Sequence, residues 1–453
     1  MNERGYGMND LKNLEVKLDS FDWNTRRDAF LKLIDMVKKG KILFPPPAPR
    51  INLHFHTFFS FNAYGYSPLH IIWKAKELGL SMAGSVDFDV LDAINEFQWG
   101  SLEVGLPFSS GIETRIYLSQ FSDLEFSSPN EPGVAYYMGN GFTRLPEKGS
   151  EAENVLSFLK KVAQKRNLKI IEKVNQYLNP VQVDYHKDVL SLTPSNNPTE
   201  RHIVIAYVQK AETVFTDKDK RALFWSERLE EEISLILQLL QDPPNFYDKV
   251  RLKLMKYGGV GYVNPDVGDF PSQEQANKLI LNLGALPSFC WLSGYPSGEK
   301  DPKFMLDFCL ANQIETIFII PDRIWDVENE IKRESNLKNL YMITQECQKR
   351  SVPIFVGTEL NKHGQKLVDD FDSKYLDPFT SYFLESAWLL WGHMVLELSS
   401  RRGYNSSWAK ETLPDRRKRN TFFALLGKNI PADREVIKKI GEKSTPDLIK
   451  EFG

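Results

Sequence analysis

Residues 52–68 read NLHFHTFFSFNAYGYSP, two histidines one residue apart at the end of an apolar run, followed by a turn-rich stretch. In a strand, residues i and i+2 point to the same side, so His54 and His56 would present both imidazoles to one face. One reading is a pair of hydrogen-bonded rings at a strand end. The other is a metal site, because two neutral imidazoles side by side suit a borderline divalent cation, provided that other strands supply further ligands. The pattern on either side of this stretch decides between them.

Upstream, residues 24–40 predict a helix with Phe30, Leu33, Ile34 and Val37 on one face, ended by lysines and Gly40; the run PPPAPR then stops it. Downstream, strand and helix alternate. RINLHFH reads as a strand, SPLHIIWKAKELGL as a helix capped by Ser67, SMAGSVDFD as a strand, VLDAINEFQWGSLE as a helix and LPFSSGIETRIYL as a strand. The alternation predicts a parallel α/β sheet or barrel. Between residues 150 and 256 helical periodicity takes over, with SEAENVLSFLKKVAQKRNLKIIEKVNQYL, TERHIVIAYVQKAETVF and ERLEEEISLILQLLQ each read as one amphipathic stretch. Alternation resumes with a helix in SQEQANKLILNLG, a strand in LPSFCWLSG, a helix in KDPKFMLDFCLANQ, a strand in IETIFIIP, a helix in NLYMITQECQKRS and a strand in VPIFVGTEL. The predicted division is an N-terminal helical segment and proline linker (1–50), a first barrel part (51–149), a helical insertion (150–256), a second barrel part (257–378) and a helical C-terminal extension (379–453).

With 453 residues, 42 % of them hydrophobic, the chain can bury a large core. Its formal charge of −3 exerts no global attraction on nucleic acid or anionic membranes. Cys290, Cys309 and Cys347 are too scattered for a disulfide framework or a zinc–cysteine site and read as buried thiols in a reducing compartment. The start is charged and lacks a secretory apolar core, and FLESAWLLWGHMVLEL is interrupted by Glu385, His393 and Glu397. These features predict a cytoplasmic protein with no membrane partner.

Carboxylates fall where further ligands are needed. Asp87 and Asp89 end the second predicted strand, Glu113 lies in the third and Glu359 follows the last. In an α/β barrel such positions face the mouth. Here the chain resembles the PHP (polymerase and histidinol phosphatase) family, mostly metal-dependent phosphoesterases on a distorted barrel of seven β/α units. The resemblance runs through HFHT at 54–57, SVDFD at 85–89, GIE at 111–113 and GTELN at 357–361, in the family's order, across residues 51–365. It implies a TIM-like (β/α)7 barrel whose first metal is held by His54, His56, Glu113 and Glu359, the last standing where the family has aspartate. Asn62, Phe88 and Asn361 stand where the family has further histidines, and the regions around Tyr136, Tyr137 and Trp291 supply none. The implied centre is therefore reduced, holding one divalent ion, or two if Asp87 and other carboxylates substitute; zinc, manganese and iron all accept such ligands.

A metal in such a site lowers the pKa of bound water to about 7 and polarises a phosphoryl oxygen. Asp87 or Asp89 would orient or deprotonate that water, unless they only cap the next helix. Arg201 and His202, at the start of a predicted helix, are candidates to grip a substrate phosphate, against the plainer role of surface caps. The glycines of 257–271 lack a Walker ending and read as a turn or lid at the mouth; RRKR at 416–419 reads as a solvated helix end. Three functions follow in order: a metal-dependent phosphoesterase acting on a small phosphorylated substrate, a catalytically silent ligand- or protein-binding module, and an enzyme acting on nucleic acid, the least favoured partner.

Overall fold

In the computed structural model, which describes residues 8–264 and 268–453, the chain enters through helices α1 (Met8–Lys17) and α2 (Trp23–Lys38). Asp22 caps α2 by accepting from the Thr25 N–H, and Gly40, at φ +68°, turns the chain beyond its end. The first seven residues of the N-terminal segment and residues 265–267 of the glycine-rich stretch lie outside the described residues.

The alternating region forms β1 (Ala48–Phe55), α3 (Pro68–Glu77), β2 (Leu80–Phe88), α4 (Ile94–Glu103) and β3 (Phe108–Tyr117). Ser67 caps α3 by accepting from the His70 N–H, with Pro68 at the first helical position. A strand that the sequence pattern did not reveal follows, β4 (Val134–Asn140). The insertion holds α5 (Glu151–Tyr177), α6 (Glu200–Val214), α7 (Lys218–Leu229), α8 (Ile233–Leu239) and α9 (Pro243–Met255). The stretch predicted as one helix over 227–241 is thus two helices, broken where Glu230 takes a left-handed conformation at φ +54°. Then come α10 (Gln273–Asn282), β5 (Leu286–Cys290), α11 (Pro302–Ala311), β6 (Thr316–Ile319), α12 (Asp322–Trp325), α13 (Glu330–Arg350) and β7 (Ile354–Val356). The C-terminal part is α14 (Asp377–Ser400), α15 (Ser407–Thr412), α16 (Arg416–Asn429), α17 (Arg434–Glu442) and α18 (Thr445–Phe452). Among the described residues no helix is long and apolar enough to cross a membrane.

The strands make one seven-stranded sheet in the order β1-β2-β3-β4-β5-β6-β7. Its pairs are parallel except at β4, which runs antiparallel to both β3 and β5, so the expected all-parallel arrangement is corrected there. A parallel return needs a crossover, usually helical. Here residues 118–133 fold straight back instead, with the Leu118 N–H donating to Gly133 O at 2.7 Å. The sheet curls into a nearly closed barrel: the His56 N–H donates to Glu359 O (2.9 Å) and the Glu359 N–H to His54 O (2.8 Å). Asn52 fastens this seam, donating to Thr358 Oγ1 and Leu367 O while its own Oδ1 accepts the His54 and Thr358 N–H groups. Gly357 permits the approach, since a Cβ there would lie 2.5 Å from Asn52 Oδ1 and 2.6 Å from His54 N.

Strands buried on both faces read as continuous apolar runs, and the barrel, its outer helices and the C-terminal helices share one core. The insertion has a second core, built around Val174, Tyr207, Trp225 and Val250. Helix α5 joins the two: Leu159 belongs to the first and Ile170 to the second. The basic run at 416–419 is only partly a solvated helix end, because Arg419 is buried and Arg416 pairs with Glu315 at 2.7 Å.

Candidate active site

Three buried side chains converge where β1 and β3 face the barrel interior. His54 Nε2 lies 3.2 Å from both His56 Nε2 and Glu113 Oε2, and His56 Nε2 lies 3.1 Å from the same oxygen. Among the described residues this is the group of histidine, cysteine and acidic side chains whose ligand atoms come together closely enough to hold a metal ion. Its geometry fits one. A tetrahedral ion with ligand distances of about 2.0–2.1 Å spans about 3.3 Å between donors. The chemistry also fits, two imidazole nitrogens and a carboxylate being the donor set of known three-ligand zinc sites and of the iron facial triad. Burial would raise the Glu113 carboxyl, but hydrogen bonds and charge from His54 and His56 outweigh it and bring it down to about 2.

The tautomer of His56 follows from its neighbours. Ser60 Oγ donates to Asp87 Oδ1 at 2.6 Å and so accepts from the His56 Nδ1–H at 3.2 Å, which makes Nε2 the nitrogen that a neutral ring would offer to a metal. Phe88 stacks on the same ring, centroids 4.3 Å apart, and Phe318 meets His54 edge-on at 5.1 Å. The Nδ1 of His54 is buried without a hydrogen-bond partner.

Several expected positions change role. Glu113 lies in the interior of β3, level with Phe88, and not at the strand's end. The expected four-ligand set is not met: Glu359, in a left-handed turn at φ +73°, directs its carboxylate to the Arg323 guanidinium and accepts from Gln365 Nε2 at 3.1 Å. Asp87 is buried and accepts from the Thr57 N–H (2.8 Å), the Thr57 hydroxyl (2.7 Å) and Ser60, so it holds the turn beneath His56, and it does not line the cavity. Asp89 does face the cavity; it accepts from Thr114 Oγ1 at 2.7 Å, and burial pushes its carboxyl up. Neither aspartate caps α4, whose N-terminus has no side-chain cap. His202 does not line the cavity: its Nδ1 accepts the Thr199 N–H at 3.0 Å at the start of α6, its ring packs on Phe61, and burial brings it down to about 3. Arg201 does line the cavity, paired with Asp248 at 2.8 Å.

Two further histidines have structural work. His70 pairs with Asp19, and His393 donates from Nε2 to Gly141 O while accepting the Tyr404 N–H. Asn62 likewise ties the 62–66 turn, donating to His56 O and accepting the Tyr64 and Tyr66 N–H groups.

The triad opens into a cavity of about 440 Å³ at the C-terminal ends of the parallel strands. Helices α5, α6 and α9 of the insertion wall its outer side through Arg166, Glu200 and Arg251, with Lys256 just beyond. The barrel contributes Arg115, Tyr136, Trp291 and Arg323. This basic lining was not anticipated, although two signals were legible: Arg115 is two residues beyond Glu113 on one strand, and Arg323 follows the end of β6. Arg166 gave no signal, being one cation in the lysine- and arginine-rich run of α5. Tyr136 is half-buried in this wall, and desolvation raises its hydroxyl, keeping it a phenol.

No family model matches the chain, and no curated protein matches it. Solved structures do match. One is an amidohydrolase from Chromobacterium violaceum with bound sulfate and no metal, 13 % identical, TM-score 0.46, over 71 % of this chain and 91 % of that one. Another is a Bifidobacterium adolescentis protein proposed to be a metal-dependent phosphoesterase, 16 % identical, TM-score 0.44, over 75 % of this chain and 98 % of that one. At these values the two neighbours assign no chemistry to this chain.

Proposed function

We propose that the protein is a metal-dependent hydrolase of PHP type, a distorted (β/α)7 barrel with one strand reversed, acting on a small phosphate ester. The observation that carries this reading is the His54, His56 and Glu113 triad, three ligand atoms 3.1–3.2 Å apart at the base of a basic cavity. His54, His56 and Glu113 would hold one divalent ion, zinc, manganese or iron. Such an ion supplies a water acidified to a pKa of about 7 and polarises a phosphoryl oxygen.

The chain's own residues do the rest. Asp87 and Ser60 fix the tautomer and orientation of His56. Arg323, held by Glu359, lies where it can meet the phosphoryl charge that develops during displacement. The Tyr136 phenol, which lines the cavity, would donate a proton or hydrogen bond to a departing oxygen, and Asp89 would accept one. The phenyl ring of Phe88 excludes water from one face of His56. Arg201 stands in the wall as an outer contact for substrate.

The test is hydrolysis of a panel of phosphate mono- and diesters by protein reconstituted with zinc, manganese or iron, beside Glu113→Gln. Activity that needs both added metal and Glu113 is expected. Equal turnover by Glu113→Gln would refute the assignment. A silent binding module is the second reading, favoured by one observation: Glu359 is committed to Arg323 and so does not join the three donors.

A further inference from the structure

The wall facing the triad carries more positive charge than its own carboxylates offset. Arg115 pairs with Glu131 at 2.8 Å, while Arg251 and Lys256 share the single carboxylate of Glu200 at 3.1 and 2.9 Å. Arg166 has no carboxylate partner among the described residues, and its Nε is buried without a hydrogen bond. Arg115 and Arg166 both rest on the ring of Phe270, at 4.5 and 5.3 Å, so two guanidiniums gather at one aromatic ring. Asp89 is the nearby acid, already engaged by Thr114. Like charges gathered at low dielectric with an orphaned donor are costly unless an anion joins them.

The position of this cluster is set by β3. Glu113 and Arg115 are two residues apart on one strand and both line the cavity, so the cluster lies about 7 Å beyond the triad toward the mouth. Arg323, by contrast, lies beside Glu359 on the far side of the barrel seam.

We propose that Arg115, Arg166, Arg251 and Lys256 form an anion subsite separate from the triad, which takes a phosphate-size dianion. On the hydrolase reading, on which this clause rests, the substrate carries a second phosphate-like group about 7 Å from the bond that is cut. Several cations around one point favour a tetrahedral dianion over a single carboxylate, and Arg166 presents the planar fork that binds one in bidentate fashion.

The experiment is calorimetric titration of metal-stripped, full-length protein with inorganic phosphate at low ionic strength, with sodium acetate as a second arm. Saturable phosphate binding is expected, with acetate much weaker. Arg166→Met should weaken phosphate about tenfold or more, Arg166→Lys less, and the partly exposed Lys256→Gln should weaken it several-fold whether or not Arg166→Met folds. The His54→Ala/His56→Ala variant should bind phosphate as the wild type does. No phosphate binding, equal binding of acetate, wild-type affinity in Lys256→Gln and the Arg166 variants, or loss in the double histidine variant would each overturn the subsite. Metal retention measured on separate samples of the same proteins, reloaded with zinc, manganese or iron and cleared of excess, separates the two readings: metal retained without phosphate binding sinks only the subsite, and phosphate binding by a protein that retains no metal after reloading sinks only the hydrolase.

Discussion

Replacing Asp87 separates a positioning role from a catalytic one. Its carboxylate accepts three hydrogen bonds, from the Thr57 N–H, the Thr57 hydroxyl and the Ser60 hydroxyl, at 2.6–2.8 Å and out of contact with water. Hydrogen bonds to a charged group contribute about 1.5–3 kcal/mol each, and losing this acceptor strands three buried donors. After allowing for the relief of desolvating a carboxylate, Asp87→Ala should cost about 3–5 kcal/mol. Asp87→Asn is different. Its carbonyl oxygen replaces Oδ1 toward Thr57 N–H and Ser60, and its amide can donate to Thr57 Oγ1, because the hydroxyl rotates; the cost should be about 1 kcal/mol. The same logic reaches the triad. Freed of Asp87, Ser60 no longer sets the His56 tautomer, so Asp87→Ala should weaken zinc binding about 10- to 100-fold, while Asp87→Asn should stay near the wild type. Urea denaturation and competitive zinc titration read both quantities. If Asp87→Asn lost stability and zinc as severely as Asp87→Ala, the carboxylate's charge itself would be needed and the positioning account would be wrong.

Three further outcomes follow from packing and charge. Arg26 and Glu96 form a buried ion pair joining α2 to α4, with Arg26 Nε 2.9 Å from Glu96 Oε1, so Arg26→Met should lower unfolding free energy by about 3–5 kcal/mol and Arg26→Met/Glu96→Leu by much less. Burial pushes the Glu299 carboxyl up to about 6, against the N–H groups of Leu292, Ser293 and Gly294 that it accepts. The folded state thus binds this proton more tightly than the unfolded state does, and stability is lost as pH rises from about 4.5 to above 6; relative to Glu299→Gln, the wild type should lose about 2 kcal/mol across that window, and parallel pH profiles would contradict this. Helices α14 and α16 cross at Gly392 and Gly427, where a Cβ on Gly427 would strike the Trp388 carbonyl, so Gly427→Ala should destabilise by about 1–3 kcal/mol in a denaturation midpoint.

The barrel's parallel strands were legible because they are short apolar runs between capped helices, as at Ser67 and Ser272. β4 was not: Val134, Ala135, Tyr137 and Met138 are all buried, so VAYYMGN shows no alternation, and strand direction leaves no mark on composition. The His54 and His56 pair was readable from its spacing, and Glu113 from a charge in an apolar strand. The fate of Glu359 was not, since it depends on consecutive left-handed residues, Glu359 and Leu360, that aim the carboxylate at Arg323. Arg166 was hidden for a related reason: in a helix rich in lysine and arginine, only tertiary placement tells a cavity-facing cation from a solvated one.

The most direct test is elemental analysis of tag-free protein after incubation with zinc, manganese or iron and removal of excess, beside the His54→Ala/His56→Ala variant. About one equivalent of a divalent metal in the wild type and none in the variant is the predicted result. A wild type that retains no metal from any of the three, or a variant that retains as much as the wild type, would contradict the assignment of the triad.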